Sequence, residues 1–292
     1  MITLKEAIQQ AHEKGQALGH FNISDFSILK GIVSAAQKLN LPVIIGVSEG
    51  ERDFLGVKQT VALIKSLREE YNLPIFLNAD HTHSLERVKE AAEAGFDAIL
   101  FDAGQKDFEE NLRLTKEAAE FVKNYNQQKG TEILIEGELG YIGSGSVILE
   151  DIPQGAAIKR EDLTTPEQAE RFVRETNIDL LAPAVGNLHG MLAGALNPSL
   201  DIERISEIKK VAGVPLVLHG GSGISNEQLK LAIKAGASII HISTELRVAW
   251  KRGLDLALLS HPNEIVPYKL LPEVVYEVEK VVLEKLRIFS EV

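Results

Sequence analysis

Eight short runs of nearly unbroken apolar, β-branched residues recur along this chain, and longer stretches of helical period lie between most of them. The runs are ALGHFN (17–22), PVIIGVS (42–48), PIFLNAD (74–80), DAILFDA (97–103), EILIEGEL (132–139), DLLAPAVG (179–186), PLVLHGG (215–221) and SIIHIST (238–244). A strand with one face in water alternates apolar and polar residues. A strand that is apolar throughout has to be covered on both faces, as in a parallel sheet flanked by helices. The amphipathic segments include 84–95, 165–177, 200–213 and 225–236; most open on a Ser or Thr cap or a first-turn Pro, and several close on Gly or Asn. Eight βα units with short connections predict an α/β fold, a closed (β/α)₈ TIM barrel rather than an open doubly wound sheet. Residues 272–289 read as a terminal helix after the eighth unit. No low-complexity tract or Ser/Gly linker interrupts the rhythm, so residues 1–292 are expected to form a single barrel domain.

Composition excludes several classes of function. A net charge of −11 leaves no basic excess to neutralise a nucleic acid. The chain has no cysteine, so any metal must be held by His, Asp or Glu. No apolar run approaches the ~20 residues of a membrane span, and the amphipathic start lacks a signal-peptide core. A cytoplasmic protein without nucleic-acid or membrane partners is the expectation.

Chemistry in such barrels belongs at the C-terminal ends of the strands. Those ends carry Asn22, Ser48, Asp80 with His81, Asp102, Glu136 with Glu138, Asn187 with His189, His219, and finally His241, Ser243 and Thr244. One polar residue at an apolar strand end is ordinarily a buried tie for a loop. A ring of them at one rim points to a ligand, because unpaired polar groups are costly to bury. His81, His189 and His219 follow the third, sixth and seventh strands, whose ends converge on the axis. Three imidazoles with an open position match a catalytic zinc site. Neighbouring residues of a strand face opposite ways, so Asp80 and His81 share the site only if the strand ends or twists there. Asp102 and Glu138 are candidates to orient a ligand imidazole or to hold a second cation, and spacing alone leaves Glu136 open as well. The segment 218–225 (LHGGSGIS) and the start of the following helix suit an anion, and phosphate sites in these barrels follow the seventh and eighth strands.

Taken together, GHFNISD, VIIGVSEG, ADHTHSLERVKEAAEAGFDAILFDAG, EGELGYIG, LLAPAVGNLHG and PLVLHGGSGI resemble the class II, metal-dependent fructose-bisphosphate aldolases of the ketose-bisphosphate aldolase family, over nearly the whole chain. The resemblance implies that His81, His189 and His219 hold a catalytic Zn²⁺ and that Asp80 transfers the proton. It implies that Asp102 and Glu138, rather than Glu136, match carboxylates able to hold a second divalent or a monovalent cation. Gly190, Gly220, Gly221 and Ser222, with His241, Ser243 and Thr244, match the cradle for dihydroxyacetone phosphate. Asn22 and Ser48 match further substrate contacts, Ser48 at the far end. It further implies a lyase that splits a ketose bisphosphate, most directly fructose 1,6-bisphosphate, into dihydroxyacetone phosphate and glyceraldehyde 3-phosphate, in an assembly of two or four copies.

The chain also departs from the family. His241 and Ser243 stand where the family has Asn and Asp, and Tyr268 stands where it often has an arginine for the distal phosphate from a neighbouring subunit. Tagatose 1,6-bisphosphate or a ketose monophosphate is the alternative substrate. A metal-dependent hydrolase is a rival, since HTH resembles the H-x-H pair of amidohydrolase barrels, but that pair belongs on the first strand and here it lies on the third. A non-catalytic sugar-phosphate-binding barrel is the remaining alternative.

Overall fold

The structure, a computed structural model, describes residues 2–143 and 145–291. Eight parallel strands close into a barrel: β1 (Leu18–Asn22), β2 (Val43–Val47), β3 (Ile75–Thr82), β4 (Ala98–Phe101), β5 (Leu134–Leu139), β7 (Leu180–Pro183), β9 (Leu216–Leu218) and β10 (Ala237–Ile242). Around the barrel they run in the order of the chain, and β1 pairs with β10 to close it. Two two-residue strands, β6 (Ile148–Leu149) and β8 (Met191–Leu192), pair with each other outside the barrel and tie down the long connection after β5. Each of the eight expected runs falls on a barrel strand, with β3 running two residues past its run and β10 starting one residue before its own.

Alternation along the strands sorts the core into two parts. Phe21, Ile45, Leu77, Ile99, Leu181, Leu218 and Ile240 belong to the large cluster beneath the helices. The opposite faces of the same strands fill the barrel interior, where Leu18, Ile44, Phe76, Leu134, Leu180, Val217 and Ile239 form an apolar layer. The N-terminal helix Leu4–Glu13 seals that layer from below with Leu4, Ala7, Ile8 and Ala11. Two residues further along five of the eight strands the interior becomes polar, at His20, Asn78, Glu136, His219 and His241, and beyond these at Asn22, Asp80 and Glu138, all buried. The apolar layer gives the polar rim a rigid base.

Helix starts follow the expected chemistry. Ser84, Thr165 and Ser225 cap their helices through side-chain oxygens, and Gly95, Asn177 and Gly213 end helices in the left-handed conformation. The terminal helix begins earlier than expected, at Pro267, and runs to Ser290. It packs along Phe26–Leu39, where Gly31 allows the approach: a Cβ there would stand 2.8 Å from Val278 Cγ1 and 2.9 Å from Val275 O.

Gly31→Ala therefore sets a gain in helix propensity of about 1 kcal/mol against overpacking on a backbone carbonyl that cannot rotate away, about 1–3 kcal/mol. The clash should win, and scanning calorimetry should show the melting temperature lowered by a few degrees. An unchanged or raised value would mean that the two helices separate freely.

Candidate active site

Strand β3 makes the site possible. Asp80 faces the interior by alternation, so His81 ought to face outward. Instead His81 takes a left-handed backbone, φ 42°, and the pairing of β3 with β4 shifts register between Ala79 and Thr82. That twist brings consecutive residues to one side. A left-handed histidine costs of the order of 1–3 kcal/mol, so the surroundings must hold it. Arg52, 1% exposed, does so by donating to Val47 O at 2.7 Å, Asp80 O at 3.1 Å and Thr82 Oγ1 at 3.1 Å. Arg52 is thereby a structural tie and not a reader of substrate phosphate.

His81, His189 and His219 converge. With Glu138 they offer four ligand atoms that lie within 4.8 Å of one another. Each imidazole is anchored by one nitrogen: His81 Nδ1 to Asp102 Oδ2 at 2.8 Å, His189 Nδ1 to Gly143 O at 2.7 Å, and His219 Nε2 to Glu136 Oε1 at 2.8 Å. The other nitrogen of each is left for a ligand. His219 Nδ1 and Glu138 Oε2 are buried without any hydrogen-bond partner, although they lie only 3.8 Å apart. Buried polar atoms are rarely left unpaired, and imidazoles oriented by carboxylate or carbonyl acceptors are the usual setting of a metal site. The donor set therefore fits a divalent cation. Glu136 and Asp102 orient ligand imidazoles, while Glu138 is the carboxylate that faces the cluster.

The electrostatics say the same. Burial would lower His81, but Asp80, the bond to Asp102, and Glu138 outweigh it and push the group up to about 10. Burial, then the charge of His81, pushes His189 and His219 down to about 3. Glu136 is pushed up to about 8, first by burial and then by Asp80, and Glu138 well above its usual range, first by burial and then by Asp102. These carboxylates hold protons because nothing else neutralises them, and a cation among the histidines would displace those protons.

Asp80 has one oxygen held and one free. Oδ2 accepts from Asn22 Nδ2 at 2.9 Å, and Oδ1 is buried and unpartnered, 3.6 Å from His241 Nδ1 and 3.9 Å from His81 Nε2. Burial would raise its pKa, but the charges on His81, His20 and His219 and the bond from Asn22 hold it well below the usual carboxylate range.

The anion cradle lies beside this cluster. His189, Gly190, Gly220, Ser222, His241, Ser243 and Thr244 line one small cavity with Asn22, Asp80, His81 and His219. Gly220 is required there: its φ is 60°, and a Cβ would stand 2.1 Å from Leu188 O. Ser243 Oγ is buried with no partner at the start of the helix Thr244–Ser260, a placement suited to an anion. Gly221 does not line the cavity; its N–H donates to His241 O at 3.0 Å, so its part is to hold the turn. A larger cavity of about 330 Å³ opens from the cluster past Asn22, Ser48, His83, Tyr141 and Arg247. Tyr268 is 75% exposed on the terminal helix and lines neither cavity of its own chain.

Sequence reasoning missed Glu51, Arg247 and the carbonyl of Gly143. All three act through partners far away in the chain, and none lies at a barrel strand end. The Ser48–Glu51 spacing of a capping box was the one available signal.

Fold and site define a (β/α)₈ barrel whose C-terminal rim carries a three-histidine candidate cation site beside a candidate anion cradle. The family described as "Fructose-bisphosphate aldolase class-II" matches residues 2–292. A fructose-bisphosphate aldolase of Geobacillus stearothermophilus is 35% identical, over 99% of this chain and 97% of that protein. The crystal structure of the YdjI aldolase from Escherichia coli K12 is 31% identical and superposes with a TM-score of 0.79 over 99% of this chain and 96% of that one. A putative fructose-1,6-bisphosphate aldolase from Coccidioides immitis superposes with a TM-score of 0.83 at 26% identity, over 98% and 95% of the two chains. The chain belongs to the class II fructose-bisphosphate aldolase family, whose members are metal-dependent lyases.

The anchoring of each imidazole has a measurable consequence. Glu136→Gln removes the anionic acceptor behind His219 without changing its size, and metal affinity should fall by about 10–100-fold in competition with a chelator. Unchanged affinity would mean that His219 is not a ligand.

Proposed function

We propose that this chain catalyses reversible aldol cleavage of ketose 1-phosphates, fructose 1,6-bisphosphate among them, to dihydroxyacetone phosphate and an aldehyde, with zinc as its resident ion. The observation that carries the reading is the pairing of three anchored imidazoles with an unpartnered carboxylate oxygen of Asp80 beside them. His81 Nε2, His189 Nε2 and His219 Nδ1 would hold the ion, which when bound supplies a Lewis acid for negative charge on the substrate's C2 oxygen. Anchoring through the opposite nitrogens aims the ligand nitrogens, and an ion bound there would displace the proton that His81 otherwise holds.

Asp80 is the base of the cleavage direction. Its low pKa keeps it a carboxylate, Asn22 fixes one oxygen, and the free Oδ1 takes the proton of the C4 hydroxyl as the C3–C4 bond breaks. In condensation the same oxygen returns the proton to the new alkoxide. Ser222, Ser243, Thr244 and Gly220 bind the phosphate of the dihydroxyacetone half beside the N-terminus of the last barrel helix. The pairing of copies belongs to the same reading, and the exposed Leu259, Ile265 and Tyr268 at the last helix junction support it.

Asp80→Asn should retain its metal and its affinity for dihydroxyacetone phosphate while kcat for cleavage falls by ~10²–10⁴. Chelation of the wild type should abolish cleavage, and zinc should restore it. Full activity in the chelated protein, or an Asp80→Asn variant that loses most of its metal with an unaltered rate per remaining bound ion, would overturn the assignment.

A further inference from the structure

Glu51 is a buried carboxylate, 6% exposed, on the helix Glu49–Leu55 that follows β2. Four donors surround it. Its Oε2 accepts from Ser48 N at 2.8 Å, Ser48 Oγ at 3.0 Å and Asn22 Nδ2 at 3.1 Å, and its Oε1 accepts from Arg247 Nη2 at 2.8 Å. A helix capping box accounts for the bonds to Ser48. It does not account for Asn22, which arrives from β1, or for Arg247, which arrives from the helix Thr244–Ser260. Three separate elements have been brought together around one anion.

Asn22, Ser48 and Arg247 all line the 330 Å³ cavity; Ser48 and Arg247 take no part in the small cavity of the phosphate cradle, and Asn22 stands between the two. Asn22 also donates to Asp80, so Glu51 stands one side chain away from the proton-transferring group. Arg247 is the one arginine or lysine among the described residues lining this cavity. Its guanidinium is committed to Glu51 and to Ser146 O at 2.8 Å.

We propose that the Glu51 carboxylate is a resident anion filling the donor cradle of the aldehyde-side subsite, and that it determines acceptance of aldehydes whose far end carries hydroxyls instead of a phosphate. The inference rests on the aldolase reading above and specifies the substrate class at the far half of that site. Charge supports it: Arg247 and Glu51 pair with each other, so an incoming phosphate dianion finds no unpaired cation on the cavity wall and meets Glu49 there. Hydrogen-bond chemistry supports it too. The Glu49 carboxylate that lines the cavity only accepts, so the ligand groups it favours are donors such as hydroxyls. The chain has removed the need for a far-end arginine by supplying the anion itself, which agrees with a tyrosine at position 268.

The test is aldol condensation by the zinc-loaded protein, with dihydroxyacetone phosphate as fixed donor and either glyceraldehyde or glyceraldehyde 3-phosphate as acceptor. Exchange of the donor's C–H proton in D₂O, which needs no aldehyde, serves as the readout of an intact near half. In the wild type kcat/KM for the two aldehydes should agree within about tenfold. Glu51→Gln keeps the size and releases Arg247, and it should raise preference for the phosphorylated aldehyde by roughly 10–100-fold, through KM, with exchange unchanged. Replacing Arg247 by Met in that variant should abolish the gain. A wild-type preference for the phosphorylated aldehyde above ~10³, beyond what a single unpaired charge contact gives, overturns the proposal without any variant. So does a ratio unmoved by Glu51→Gln, a loss of exchange in that variant, or wild-type exchange without condensation of either aldehyde. Absence of both exchange and condensation in the zinc-loaded wild type sinks the aldolase reading and this proposal with it.

Discussion

Four carboxylates and three imidazoles share the upper interior of one barrel, and the negative charge among them exceeds what the chain itself neutralises. Asp80, Asp102, Glu136 and Glu138 each lie within 4 Å of His81 or His219. Most of these groups are fully or nearly buried, where unpaired charge is expensive. The protons forced onto His81, Glu136 and Glu138 are the metal-free answer to that imbalance, and a divalent ion is the functional one. Much of the fold can be read as support for this rim: the sealed apolar layer below it, the twist at His81, and Arg52 stitching the ends of β2 and β3.

The strands were legible because a parallel barrel strand is buried on both faces and announces itself by unbroken apolarity. The convergence of His81, His189 and His219 was legible because strand ends converge in space, so residues 108 and 30 positions apart in the chain could be placed together from the rhythm alone. The choice between Glu136 and Glu138 was not open to spacing, since both face inward by alternation; the family resemblance chose Glu138, and the structure puts Glu136 behind His219 and turns Glu138 to the cluster. Nor could sequence place His81. Alternation turns it away from Asp80, and a left-handed backbone at a non-glycine residue follows from tertiary contacts that carry no local signal.

The residues that escaped are instructive in the same way. Gly143 contributes a carbonyl, which any residue has, from the connection between β5 and β7. Glu51 and Arg247 are charged residues in helical segments, where a charge is usually just a solvated face. Their significance lies in a pairing across 196 positions. Periodicity reports which face of an element is covered, and it is silent about which polar group meets which.

The two halves of the site differ in how they are built, and the difference bears on how specificity changes. The near half depends on backbone: Gly220 admits no side chain against Leu188 O, and Gly190 admits none against Val147 O. His241 is a flat ring held uncharged first by burial and then by His20. It stacks on His20 with centroids 3.4 Å apart and planes within 2°, and His20 in turn needs the absent side chain of Gly46, whose Cβ would fall 2.1 Å from its ring. One change there has engaged β10, β1 and β2 together. The far half is made from side chains, Asn22, Ser48, Glu51 and Arg247, on separate elements, where one substitution alters charge without moving backbone. Single substitutions can therefore change the charge and chemistry of the far half, while the near half resists them.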